Sequence, residues 1–270
     1  MSTTSMLNTA RRWPPAVLML FVALVLATAA VVVSSSRGVF FDTTDNSGNS
    51  FIAAASFDIV QVQKATGATS GSAASVTASY ATGPTQDNLL VLVHHYRDTG
   101  TVTLPSGWTQ AVTRAADQST ITIAYKIAGA AEGTGVTVSV SAADHQTLTI
   151  FEYSGIDTTA PLDQTASNAE TPPPGITDCS TGTTATTSVP VELLIAGVGL
   201  AGDGGGWLNT WTNGFTQQST VASSGIPSTF RSDSSTADRI VSATGTFETT
   251  ESWSSSKGCQ TAIATFKVAP

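Results

Sequence analysis

The chain has 270 residues, with 11 Lys or Arg against 19 Asp or Glu, a formal net charge of -8, and only 11% charged residues. That balance argues against a nucleic-acid partner, because backbone affinity comes from clustered Lys and Arg and no cluster exists beyond Arg11 and Arg12. The remainder is rich in Ser, Thr, Gly, Ala and Val with few Lys or Glu, a composition poor in helix formers and rich in strand and turn formers, and the length points to one sandwich of about 200 residues behind a targeting segment.

Residues 1–15 carry Arg11 and Arg12, and residues 16–33 form an unbroken apolar run of 18. This is the layout of a charged n-region and an h-region. Its length lies between a long signal peptide and a short membrane anchor, which needs about 20 residues. Ala27-Thr28-Ala29 and Ser34-Ser35-Ser36 are candidate cleavage sites, and the arginine pair lacks the continuation of a twin-arginine signal. The expected organisation is a signal peptide or anchor over 1–36, an extended linker or leader segment over 37–73, and a β-sandwich over 74–270.

Val39-Phe40-Phe41-Asp42-Thr43-Thr44 followed by Ser47-Gly48-Asn49-Ser50-Phe51-Ile52-Ala53-Ala54 resembles the leader region of SipW-type exported proteins, the TasA and camelysin-like matrix-fibre subunits. Phe41 stands where a small residue often intervenes, and Ala54 where Gly is usual. The resemblance implies export and a cell-surface setting.

Residues 66–75 read as a loose Gly/Ser/Thr linker. Beyond it, short β-rich runs alternate with turn residues. The expected strands are 74–80, 89–97, 108–115, 119–127, 135–141, 146–153, 183–188, 191–200, 215–222, 228–232, 238–246 and 259–268, with no helix after residue 33. Three matches in order suggest an internal duplication. Leu89-Leu90-Val91-Leu92 corresponds to Leu193-Leu194-Ile195-Ala196, Gly107-Trp108-Thr109-Gln110 to Gly214-Phe215-Thr216-Gln217, and Gln146-Thr147-Leu148 to Gln260-Thr261-Ala262. The halves are then expected as two similar layers of one sandwich, joined by a crossover at Pro172-Pro173-Pro174-Gly175.

Asp87-Asn88-Leu89-Leu90-Val91, Pro105-Ser106-Gly107-Trp108-Thr109, Tyr125-Lys126-Ile127-Ala128, Glu152-Tyr153-Ser154-Gly155-Ile156-Asp157 and Pro161-Leu162-Asp163 together resemble a domain common in large secreted bacterial and phage-associated proteins. That family has the form G-N-L-L-V, P-x-G-W-T, Y-K-V-A, E-Y-S-G-V-D and P-[IL]-D. The resemblance spans about 74–268 and implies an all-β, antiparallel, jelly-roll-like sandwich on the cell exterior, with no catalytic residues to carry over. Asp87 and His94-His95 depart from its pattern.

The residues that carry chemistry are few. His94 and His95 are adjacent, so on a strand they point to opposite faces and do not share a metal; the repeat sets them opposite Val198 and Gly199. His145 follows Asp144 in a turn, and no Gly-x-Ser-x-Gly elbow accompanies any histidine. Ser254-x-x-Lys257 has a β-lactamase-like spacing without a helix to use it. Glu152, Asp157 and Asp163 can be read as paired carboxylates for glycoside hydrolysis; the family resemblance instead implies Glu152 at a strand end and Asp157 in the turn after Gly155, where carboxylates cap backbone amides. No Asp-x-Asp-x-Asp series exists, so no cofactor is expected, with Ca2+ the one ion left open. Trp207, after Gly204-Gly205-Gly206, and Trp211 are the candidate ligand-binding residues, as aromatics able to stack on a sugar face. Cys179 and Cys259 are the only cysteines; both lie in the proposed secreted part, and a disulfide between them is expected.

The reading is an exported, non-enzymatic surface protein with a structural or adhesive role, bound to an extracellular glycan or a surface or matrix protein. Membrane contact comes only through an uncleaved N-terminus. Its rivals are a carbohydrate-binding module and an extracellular hydrolase.

Overall fold

The computed structural model of the chain describes residues 58–270 apart from 117, 171–175, 203–205, 208 and 226–230. The N-terminal hydrophobic segment, the 39–54 element, the 172–175 crossover and most of the expected 228–232 strand lie outside the described residues. Among them are fifteen strands and no helix: β1 Val60–Ala68, β2 Ala73–Ser79, β3 Leu89–Tyr96, β4 Val102–Thr103, β5 Thr109–Ala116, β6 Ser119–Ile127, β7 Gly135–Asp144, β8 Gln146–Ser154, β9 Leu162–Glu170, β10 Ile176–Ser180, β11 Glu192–Ala201, β12 Thr216–Ala222, β13 Ser232–Val241, β14 Thr250–Lys257 and β15 Cys259–Lys267.

All pairings are antiparallel, in two five-stranded sheets, β1-β8-β3-β6-β5 and β9-β15-β11-β13-β12, and two smaller ones, β2-β7-β4 and β10-β14. The duplication is visible in this order. Reading β1, β8, β3, β6, β5 against β9, β15, β11, β13, β12 gives the same path twice, and β2-β7 matches β10-β14. Details repeat as well. Gly107 and Gly214 both take positive φ, 81° and 73°, just before β5 and β12, and bulges follow at Gln110/Val112 and Gln217/Ser219.

The halves are not the two layers of one sandwich, as the sequence suggested, but four layers. Strand β3 is buried along its whole length, so its sheet needs cover on both faces. Leu89, Val91, Val93, Ile121, Ile123 and Phe151 meet Leu193, Ile195, Ala262, Ala264 and Phe266 in the central core, which joins the two large sheets. The outward faces hold separate cores. Leu90, Leu92, Leu148 and Ile150 pack under Val76, Val136 and Val138 of the three-stranded sheet, while Val198, Leu200 and Cys259 pack under Cys179 and Trp253 of the two-stranded sheet.

Three further expectations are corrected. The sheet begins at Val60 rather than 74, because β1 pairs along β8; its alternation is inverted, with Val60 and Val62 facing solvent at 51% and 48% exposure and Gln61 and Gln63 on the half-buried side. The match of Gln146 to Gln260 is one residue out of register. His95 pairs with Thr147 while Gly199 pairs with Gln260, and a slip of one residue exchanges the two faces of a strand. Residues 183–188 are not a strand. Thr181, Thr184 and Thr187 are buried at a period of three, and each donates its amide to a carbonyl of the 245–249 segment while its hydroxyl oxygen accepts an amide from the same segment.

Candidate functional site

The expected disulfide is present. Cys179 in β10 and Cys259 in β15 are bonded with Cα atoms 6.5 Å apart, both fully buried. It staples the two-stranded sheet to the large sheet beneath. A loop closed over a separation of 80 residues corresponds to about 4 kcal/mol in the chain-entropy account.

Trp207 and Trp211 lie beside this disulfide. Both are half-buried and pack on the hydrophobic cluster around this disulfide. Trp207 sits edge-on to buried Trp253 at 6.0 Å between ring centroids, and the Trp211 indole donates to Ser235 Oγ at 3.2 Å. Their burial is what rings beside a covered sheet face do, since apolar contact outweighs exposure. Trp108 likewise packs against the outer core of the first half.

The carboxylates serve separate local structures. Glu152 is buried and accepts from the Thr85 amide at 2.8 Å, Asn88 Nδ2 at 2.6 Å and Gln63 Nε2 at 2.6 Å. Burial opposes its ionisation, but these donors hold its carboxyl below the usual range. Asp157 caps the turn amides of Thr159 and Ala160, and Asp163 accepts from the Ser188 amide. Two carboxyls that the sequence did not single out, Glu192 and Glu251, are fully buried and pushed up to about 7 by desolvation, with Asp163 adding to the effect on Glu192. Ser254 and Lys257 lie on β14, a strand where a loop was expected, so no helical turn sets the lysine over the serine. No group of three or more His, Cys, Asp or Glu side chains suited to a metal occurs among the described residues.

The histidines point to opposite faces of β3, as adjacency requires, yet neither is outside, because both faces are covered. His94 lies under the three-stranded sheet, with Nε2 3.0 Å from Gln146 Oε1. His95 lies between the large sheets, 2.8 Å through Nδ1 from Ser232 Oγ. Burial drives both toward the neutral ring, His94 to about 4 and His95 to about 3. His145 is buried beside Asp144, at 3.0 Å.

Around His95 the interface between the large sheets changes from apolar to polar. Ser119 donates to Gln260 Oε1 across the sheets. Thr147 donates to Ser234 at 2.9 Å, and Thr149 is bonded to Ser219 at 2.9 Å. This seam was missed from sequence because β13 begins Ser232-Asp233-Ser234-Ser235-Thr236, which carries no hydrophobic pattern although all five residues are buried. The available signal was the pairing of His95 with Gly199 through the repeat. A side-chain carbon on Gly199 would overlap the His95 ring. Next to the seam, Arg97, Gln118, Lys257 and Gln260 line a surface cavity.

No protein-family model, curated protein or solved structure matches the chain.

Proposed function

We propose that the chain is an exported, non-enzymatic protein of the cell surface or extracellular space, whose duplicated β unit acts structurally or adhesively. The observation that carries this reading is the buried disulfide Cys179–Cys259, since such bonds persist in oxidising compartments and are rare in a reducing cytosol. The apolar run of residues 16–33 after Arg11 and Arg12 supports the same route. The local hydrogen bonds of Glu152, Asp157 and Asp163, each to its own turn or strand end, support a structural role. The jelly-roll description, the hydrophobic N-terminal helix and the resemblance to the secreted bacterial and phage-associated domain belong to this proposal. Its partner is an extracellular glycan or a surface or matrix protein.

The test is protease treatment of intact cells that express the full chain, followed by fractionation. Digestion of the β unit while cytoplasmic markers survive is the expected result. A β unit protected on intact cells and cut only after lysis would overturn export.

A further inference from the structure

Ser119 opens β6 of one large sheet, and Gln260 is the second residue of β15 of the other. Their side chains meet in the seam, where the Ser119 hydroxyl contacts the amide oxygen of Gln260; the two residues are 0% and 1% exposed. A hydroxyl held there is one atom away from the amide carbon. Gln260 Nε2 donates to the Ala116 carbonyl at 3.0 Å, which fixes the amide plane.

His95 supplies what an amide needs in order to react. The Ser232 hydroxyl donates to the His95 carbonyl at 3.1 Å, so its oxygen accepts from the ring at Nδ1, 2.8 Å away. Nδ1 therefore carries the ring proton and Nε2 the bare lone pair. Nε2 makes no hydrogen bond, and Gln260 is among the groups that act on the ring. Burial holds the ring neutral with its lone pair free, and the same burial makes its protonated form a strong acid that passes the proton on.

We propose that Ser119 and Gln260 are joined by an ester bond that the folded chain forms on itself, with His95 as the base. The Ser119 hydroxyl turns its proton from Oε1 of Gln260 to Nε2 of His95, and Oγ attacks Cδ as Nε2 takes that proton, leaving the negative charge on Oε1. The imidazolium then gives that proton to Nε2 of Gln260, the C–N bond breaks, and one ammonia leaves as the Oγ–Cδ ester remains. No oxidant or cofactor is needed. Gln260 also lines the surface cavity bounded by Arg97 and Lys257, which gives ammonia an exit. Holding the two groups together replaces the entropy cost of an encounter.

The duplication contains its own comparison. By strand pairing, Ser119 and Gln260 correspond to Ser232 and Thr147 of the other pair. Those two hydroxyls lie 3.4 Å apart and include no acyl carbon, so only one of the two equivalent places can close. The ester would bind the two large sheets covalently, as the disulfide binds the outer sheet of the second half. This inference does not depend on export.

The experiment is a tryptic digest of the full chain after denaturation and complete reduction of the disulfide, read by mass spectrometry. Cleavage at Arg114, Lys126, Lys257 and Lys267 releases residues 115–126 and 258–267. The expected result is that these two travel as one species, lighter than their sum by one ammonia and separated by hydroxylamine. In Ser119→Ala the species should be absent and Gln260 intact. Recovery of the two peptides separately from the parent chain, with position 260 as Gln or deamidated, would overturn the proposal whatever any variant does.

Discussion

A methyl group at position 199 has nowhere to go, because the His95 ring already occupies the space where a side chain would begin. Cores at full density accommodate added atoms only by moving neighbours. Gly199→Ala should cost roughly 1–3 kcal/mol, the range for overpacking a core, measured as a lower urea midpoint. Gly71→Ala, with open space around its position, is the control and should leave the midpoint in place. Equal midpoints for the two variants would show that the sheets separate to admit the methyl. The sequence made part of this legible: two adjacent histidines on a strand had to face opposite ways, and the repeat aligned His95 with Gly199. That the face carrying His94 is also covered was not legible, since the period-two alternation of β2 marks a half-buried strand without saying which face it covers.

At the scale of elements, legibility followed hydrophobicity. Strands β3, β6, β8, β11 and β15 carry dense apolar residues and lay where the pattern set them. Strands β1, β9, β10 and β14 were missed because edge and outer strands bury one polar-rich face, and β13 because its buried half is hydroxyl-rich. The 181–187 segment has neither period two nor a helical period. Its threonines satisfy donors of the 245–249 segment, and Thr184 Oγ1 accepts from the Phe247 amide at 3.0 Å. Thr184→Val keeps the shape and removes the acceptor, leaving a part-buried amide unpaired at a cost of about 1 kcal/mol. Equilibrium unfolding should show that loss. Faster hydrogen exchange at Phe247 should accompany it, and unchanged exchange there would mean that the hydroxyl does not hold the segment.

At the scale of the molecule, two copies of one strand path meet through their five-stranded sheets, and neither copy encloses the central core alone. Leu89, Val91 and Val93 of the first copy find their cover in Leu193, Ile195 and Phe266 of the second. The sequence showed the duplication, because strand starts and Gly-aromatic-Thr-Gln turns recur in order. It did not show the layer count, since an unbroken apolar strand reads alike whether its outer face meets a small sheet or another chain. The shared core makes the two copies one cooperative unit. Differential scanning calorimetry of the β unit, with its disulfide intact, tests this most directly. One transition whose calorimetric and van't Hoff enthalpies agree is the predicted result; two resolved transitions, each melting one half, would contradict it.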